Sequence, residues 1–192
     1  MVKVVARRGA HLHLLAVRGI IAAQRTLIVG GCKGNQMKGI IVYYSNSGTT
    51  AHLAWKIQGT FGGQVVELKP RVPYGGYFAA VVRAGKERRR GVVPEYTATQ
   101  ADMSGVDVVF VGYPIWYSDA PAIVLDYVGK LPLEGKTLIP FATSSVSGIK
   151  ASLAKLTAAA KGANVIYPYS ETKLVKDNFD KWVGTLKKNL PR

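Results

Sequence analysis

The chain has 192 residues, 48% of them apolar and only 19% charged, which is enough to bury a core in one domain and excludes the disordered and fibrous classes. Arg18 and Arg25 interrupt the apolar N-terminal runs, so no window reaches the roughly 18 consecutive apolar residues of a membrane span, and stable membrane insertion is not expected. The net charge of +15 invites a nucleic-acid partner, but residues 1–38 hold seven of the 26 Lys and Arg and no acid, leaving 19 basic against 11 acidic residues for the rest.

Residues 1–36 fit no regular pattern. They begin basic, pass through Leu14–Val17 and Ile20–Ala23, and reach Val29-Gly30-Gly31-Cys32, loosely a lipoprotein cleavage box. A secretory apolar region should not contain Arg18, Gln24 and Arg25, however. The segment therefore reads as a basic N-terminal extension, disordered or not part of the domain, with Met37 opening a domain over residues 37–192. A lipid anchor through Cys32 is the alternative. That single cysteine has no metal-ligand spacing to His11, His13 or His52, which suggests a reducing, cytoplasmic location.

From Lys38 onward, short β-branched runs alternate with amphipathic stretches, the pattern of βαβ units around a parallel sheet. A first strand over Gly39–Tyr44 is followed by a helix over Thr49–Gly59, and a second strand over Gln64–Leu68 by the long segment Pro70–Ser104. That segment contains Pro73-Tyr74-Gly75-Gly76 and a helix over Tyr77–Arg90, and should wrap over the surface near a functional edge. Arg88, Arg89 and Arg90 follow with no interleaved aromatic residues, so they read as a solvated loop or helix end rather than a nucleic-acid groove. Strands over Val106–Gly112, Thr137–Phe141 and Asn164–Tyr167 alternate with helices over Ala120–Gly129, Gly148–Ala160 and Lys176–Leu190. Nearly continuous apolar strands need cover on both faces, so the expectation is a three-layer α/β/α fold around five parallel strands.

In open parallel sheets, ligands bind outside the carboxyl ends of the strands. After the first strand comes Ser45-Asn46-Ser47-Gly48-Thr49-Thr50, uncharged and opening into a helix. Its backbone amides and hydroxyls suit a phosphate, because the first turn of a helix has unpaired N–H groups and partial positive charge. After the third strand comes Pro114-Ile115-Trp116-Tyr117, an aromatic loop that suits a flat ring, with Ile115 better read as core. After the fourth come Thr143, Ser144, Ser145, Ser147 and Gly148, again small and hydroxylic. Together the three ends describe a pocket for a phosphorylated planar ring.

At this point the chain resembles the flavodoxins. The first loop matches their [Thr/Ser]-x-[Thr/Ser]-Gly-x-Thr phosphate fingerprint, and Gly112-Tyr-Pro-Ile-Trp-Tyr with Ala120-Pro121 is similar to the second loop of a compact flavodoxin-like family. The resemblance spans about Lys38 to Pro168 and implies strand order 2-1-3-4-5 and one noncovalent FMN. It assigns Ser45, Asn46, Ser47, Gly48, Thr49 and Thr50 to the FMN phosphate. Trp116 and Tyr117 would flank the isoalloxazine, Pro114 and Ile115 shape that loop, and Thr143, Ser144, Ser145, Ser147 and Gly148 reach the ring edge and ribityl chain. The chain departs from the family pattern at Tyr117, at Ser118-Asp119, where a glycine is common, and at Ser145-Val146.

The function implied is electron transfer between redox partner proteins, with an FMN-dependent NAD(P)H:quinone-type oxidoreductase as the alternative. In the latter, Tyr74 and Tyr77 could form the substrate-side wall. A basic flavodoxin-like domain should carry a less negative reduction potential than acidic relatives and meet acidic partner surfaces. Gly129–Thr137 resembles a Walker loop, but its glycines are too far apart and it precedes a strand, so it reads as a turn. No Gly-x-Gly-x-x-Gly or Gly-x-Ser-x-Gly motif is present, which leaves out a fused nicotinamide domain and a serine-hydrolase elbow.

Overall fold

A computed structural model describes residues 38–172 and 178–190. The extension expected over residues 1–36, with Cys32, lies outside them. Ile40, Ile41 and Val42 make β1 (Gly39–Tyr43) apolar on both faces, and it occupies the sheet interior between two parallel neighbours. One neighbour is β2 (Gln64–Glu67); the other is β5 (Val108–Pro114). Beyond β5 lies β6 (Thr137–Ser144), and then β7 (Asn164–Val165), so the order β2-β1-β5-β6-β7 reproduces the expected 2-1-3-4-5 path.

The fifth strand is longer than the sequence reading allowed. It resumes as β8 (Tyr169–Thr172), also parallel to β6. Pairing passes from Leu138 with Val165 to Phe141 with Tyr169, so three steps along β6 are matched by four on its neighbour. The extra residue is absorbed where Tyr167 takes φ +50 ahead of Pro168, which has no N–H to give to a ladder. A short antiparallel pair, β3 (Lys69–Pro70) with β4 (Tyr96–Thr97), also escaped the sequence reading; two residues per strand leave no periodicity to detect.

Among the described residues, five helices cover the sheet. On one face, α2 (Tyr77–Arg90), α3 (Ala122–Lys130) and α4 (Lys150–Ala159) place Ala80, Ile123, Val124, Val128 and Leu156 over Ile40, Val42, Val109, Val111 and Leu138. On the other, α1 (Thr49–Phe61) and α5 (Phe179–Asn189) place Leu53, Ile57, Val183 and Leu186 over Ile41, Val108, Phe110 and Ile139. Successive strand residues thus feed opposite faces, which gives the three layers. The Walker-like stretch is a turn, with Gly135 at φ +69 and its N–H donating to Gly162 O. Among the described residues, no helix is long and apolar enough to cross a membrane.

Gly112 sits mid-sheet, in register with Tyr43 on one side and Phe141 on the other. A Cβ there would run into the Phe141 ring. Gly112→Ala is therefore expected to destabilise the fold by about 1–3 kcal/mol through overpacking, read as a lower denaturation midpoint at unchanged slope. An unchanged midpoint would show that Phe141 moves aside freely.

Candidate functional site

Because β1, β5 and β6 are parallel and in register, the loops that follow them emerge at one edge of the sheet. After β1, Gly48 takes φ +87 and is the N-cap of α1, a position where glycine costs least and supplies no side chain. The helix has no side-chain cap and no acid in its first turn. Its leading amides are left to whatever lies in front of them. Ser45 Oγ accepts from Gly48 N–H at 3.1 Å, and the Ser47 and Thr49 hydroxyls lie 3.3 Å apart on the exposed rim. Asn46 bridges outward, accepting from the Tyr44 hydroxyl and donating through Nδ2 to Gly75 O, each at 3.2 Å.

The loop after β5 reverses at Trp116-Tyr117-Ser118-Asp119. Trp116 and Asp119 exchange two backbone hydrogen bonds of 3.0 Å, and Tyr117 and Ser118 have φ of +52 and +59, the signature of a type I′ turn. Non-glycine residues in that region cost on the order of 1 kcal/mol each and persist only where surrounding contacts fix them. Here the contacts are specific. Asp119 accepts from the Ala120 N–H at 3.1 Å and forms an ion pair with Lys155 of α4. The Tyr117 hydroxyl donates to Val81 O at 2.9 Å, and Arg88 donates to Tyr117 O at 3.2 Å, so α2 and α4 hold the turn from two sides.

The two rings of this loop differ in their surroundings. Tyr117 is 47% exposed, whereas Trp116 is only 8% exposed and packs against Tyr44 and Tyr74, with ring centroids 5.6 and 5.0 Å away. Ile115 is buried in the core and Pro114 is half-buried. The loop after β6 is tied to the first: Thr143 and Thr50, both buried, share a hydroxyl hydrogen bond of 2.7 Å. The Ser144 hydroxyl donates to Ser147 O and folds this loop on itself, leaving Ser147 and Gly148 exposed and Ser145 half-buried. The structure therefore gathers all three predicted loops at one edge, while placing Trp116 beneath the surface rather than on it.

A cluster that the motifs did not reveal supports Trp116 from behind. The Tyr74 hydroxyl donates to Glu87 at 2.6 Å, and Arg83 Nε donates to the same carboxylate at 2.7 Å. The Arg83 guanidinium lies 4.3 Å from the Tyr74 ring centre, and its Nη1 donates to Val72 O at 2.8 Å. The i,i+4 spacing of Arg83 and Glu87 on an expected helix was the available signal. Nothing in the chain's linear order marks Asp119 and Lys155 as partners. Burial pushes the Tyr44 and Tyr74 hydroxyls well above the ordinary tyrosine range, Tyr74 further through its bond to Glu87. Burial likewise pushes Tyr113 up to about 12, its bond to Ser152 working in the opposite direction.

A family model described as flavodoxin matches residues 38–186. Among solved structures, the chain is similar to a candidate flavoprotein from Bacteroides eggerthii DSM 20697, at 29% identity and TM-score 0.66, over 79% of this chain and 96% of that one. It is also similar to a flavoprotein from Lactobacillus acidophilus NCFM determined in complex with FMN, at 24% identity and TM-score 0.61, over 76% of this chain and 98% of that one. No curated protein matches the chain.

Raised tyrosine pKa values set an alkaline limit. Unfolded tyrosines lose protons near pH 10, where folded Tyr44, Tyr74 and Tyr113 retain theirs, so the native state then binds more protons than the unfolded one. Stability from this source should be constant below about pH 10 and fall as the pH rises above it. Tyrosinate absorbance should show these hydroxyls ionising only with unfolding, after the exposed ones; early, non-cooperative ionisation would contradict the burial.

Proposed function

The chain belongs to the flavodoxin family, and from that premise we propose that it binds one FMN at this edge and carries one or two electrons between redox partner proteins. The observation that carries the reading is the uncapped, acid-free start of α1 behind Gly48. A phosphate fits it, since the free first-turn amides and the hydroxyls of Ser45, Ser47, Thr49 and Thr50 are donors of the kind an anion needs, without a lysine. Asn46 would hold the loop through its bond to Gly75. Bound FMN would supply the redox chemistry; the protein's part is to bind, orient and shield it.

On the ring side, Trp116, Tyr117, Pro114 and Ile115 would form one wall, and Thr143, Ser144, Ser145, Ser147 and Gly148 the ring-edge and ribityl contacts. Trp116 would act as a fixed support, since Tyr44 and Tyr74 hold it. Tyr117, the more exposed ring, would be held against α2 by its hydroxyl bond to Val81 O. The functional unit in this reading is residues 37–192.

Charge supports the choice of partner. Arg88, Arg89 and Arg90 form the exposed last turn of α2, and complementary fields steer such a surface toward acidic proteins. The same basic field would make the reduction potential less negative than in acidic family members and sensitive to ionic strength. The competing reading is an FMN-dependent NAD(P)H:quinone-type oxidoreductase.

An absorption spectrum with stepwise anaerobic reduction separates these cases. Bound FMN reduced in two resolved one-electron steps, with no turnover of NAD(P)H and quinone, is the expected result. Direct reduction by NAD(P)H in a single two-electron step would favour the oxidoreductase. Failure to take up FMN would overturn both.

A further inference from the structure

Among the described residues nine large hydrophobic side chains are exposed, and six of them, Val72, Tyr77, Phe78, Val82, Val92 and Val93, lie between residues 72 and 93. Single exposed apolar residues need no explanation, but a concentration on one segment does. Phe78 is the extreme at 84% exposed, and its ring centre lies 5.8 Å from that of Tyr77. Val82 follows one turn later on α2, also exposed. With 3.6 residues per turn, Phe78, Val82, Lys86, Arg89 and Arg90 fall within about 120° of arc, and all five face solvent. Ala80 and Ala84, on the other side of the helix, pack against the core. The outer face of α2 is therefore apolar in its first half and cationic in its second.

Nothing within the protein answers those cations. Lys86, Arg89 and Arg90 make no ion pair among the described residues. Glu87 is the one acid of α2, and its carboxylate is turned inward, taken up by Tyr74 and Arg83. Cations in the last turn of a helix do complement its dipole, but that role leaves the exposed Phe78 and Val82 without a purpose. A bilayer with anionic lipids supplies both chemistries at once. Its headgroups take long cationic side chains at any position, and the acyl boundary just beneath takes a ring and a valine. An acidic protein would need a matching apolar hollow as well, and a second copy of this face would set like charges together.

We propose that the outer face of α2 docks the protein peripherally on anionic lipid bilayers, with Phe78 and Val82 at the headgroup boundary and Lys86, Arg89 and Arg90 on the anionic headgroups. No membrane-spanning segment is involved. The face is argued from its own residues and does not depend on a bound cofactor.

The test is co-sedimentation of the full chain with vesicles of equimolar phosphatidylcholine and phosphatidylserine, and with vesicles of phosphatidylcholine alone. Partition onto the anionic vesicles and not the neutral ones is expected, falling as salt rises. Replacing the three cations together, Lys86→Gln, Arg89→Gln and Arg90→Gln, should weaken partition about 100-fold. Phe78→Ser should weaken it about 10-fold by removing the apolar anchor. Both variants alter exposed side chains and should keep the denaturation midpoint of the parent chain. No partition, or equal partition onto neutral vesicles, would overturn the proposal. So would full partition in both variants, which would assign binding to the basic residues 1–36. Full partition in Phe78→Ser with loss in the triple variant would overturn it too, and would leave this face to an acidic protein. FMN does not enter the readout, so binding by a chain that takes up no FMN would uphold the docking face while removing the proposed cofactor function.

Discussion

Everything at the candidate site depends on β5 being paired along both edges. From Val108 to Gly112 it has β1 on one side and β6 on the other, and the β6 pairing continues to Pro114 with Thr143. Parallel pairing on both sides sends three chain segments out of the sheet at the same edge. Gly112 is the position at which this arrangement is tightest, since the Phe141 ring lies against the space a side chain would take. The sheet is thus a device for registering loops, and the loops carry the chemistry.

The loops are not left to find their own positions. Thr50 and Thr143 join the first to the third through a buried hydroxyl pair. Asn46 joins the first to the segment before α2, and Asp119 with Lys155 joins the second to α4. Polar contacts of this kind contribute at most about 1 kcal/mol each to stability, but leaving either hydroxyl of the buried Thr50–Thr143 pair without a partner would cost more. Their main effect is therefore on position. The turn at Tyr117-Ser118 shows the same logic, with unfavourable backbone angles offset by contacts from two helices.

Much of this was legible in the sequence, for physical reasons that can be named. The helix Tyr77–Arg90 was readable to both ends because Gly76 and Gly91 bracket it. The strand order followed from a resemblance carried by two loop motifs, and it matches the sheet. The second half of the fifth strand was not legible, because Tyr167-Pro168 reads as a stop, while the chain passes through it with one extra residue and resumes pairing at Tyr169. Nor was the burial of Trp116. Its loop looks exposed in one dimension, and only the fold brings Tyr44 and Tyr74 over it. Linear patterns report local periodicity and turn chemistry; they do not report which distant side chain covers which ring.

The central claim is that the start of α1 is an anion site built from backbone amides and hydroxyls. It is tested most directly by comparing the affinity of the cofactor-free chain for FMN and for riboflavin, which differ only in the phosphate. The account predicts FMN binding tighter by about 100-fold, the worth of one or two charge-assisted hydrogen bonds, with most of that difference lost at high salt. Equal affinity for the two would contradict it, and would mean that the Ser45–Thr50 loop caps its helix and does nothing more.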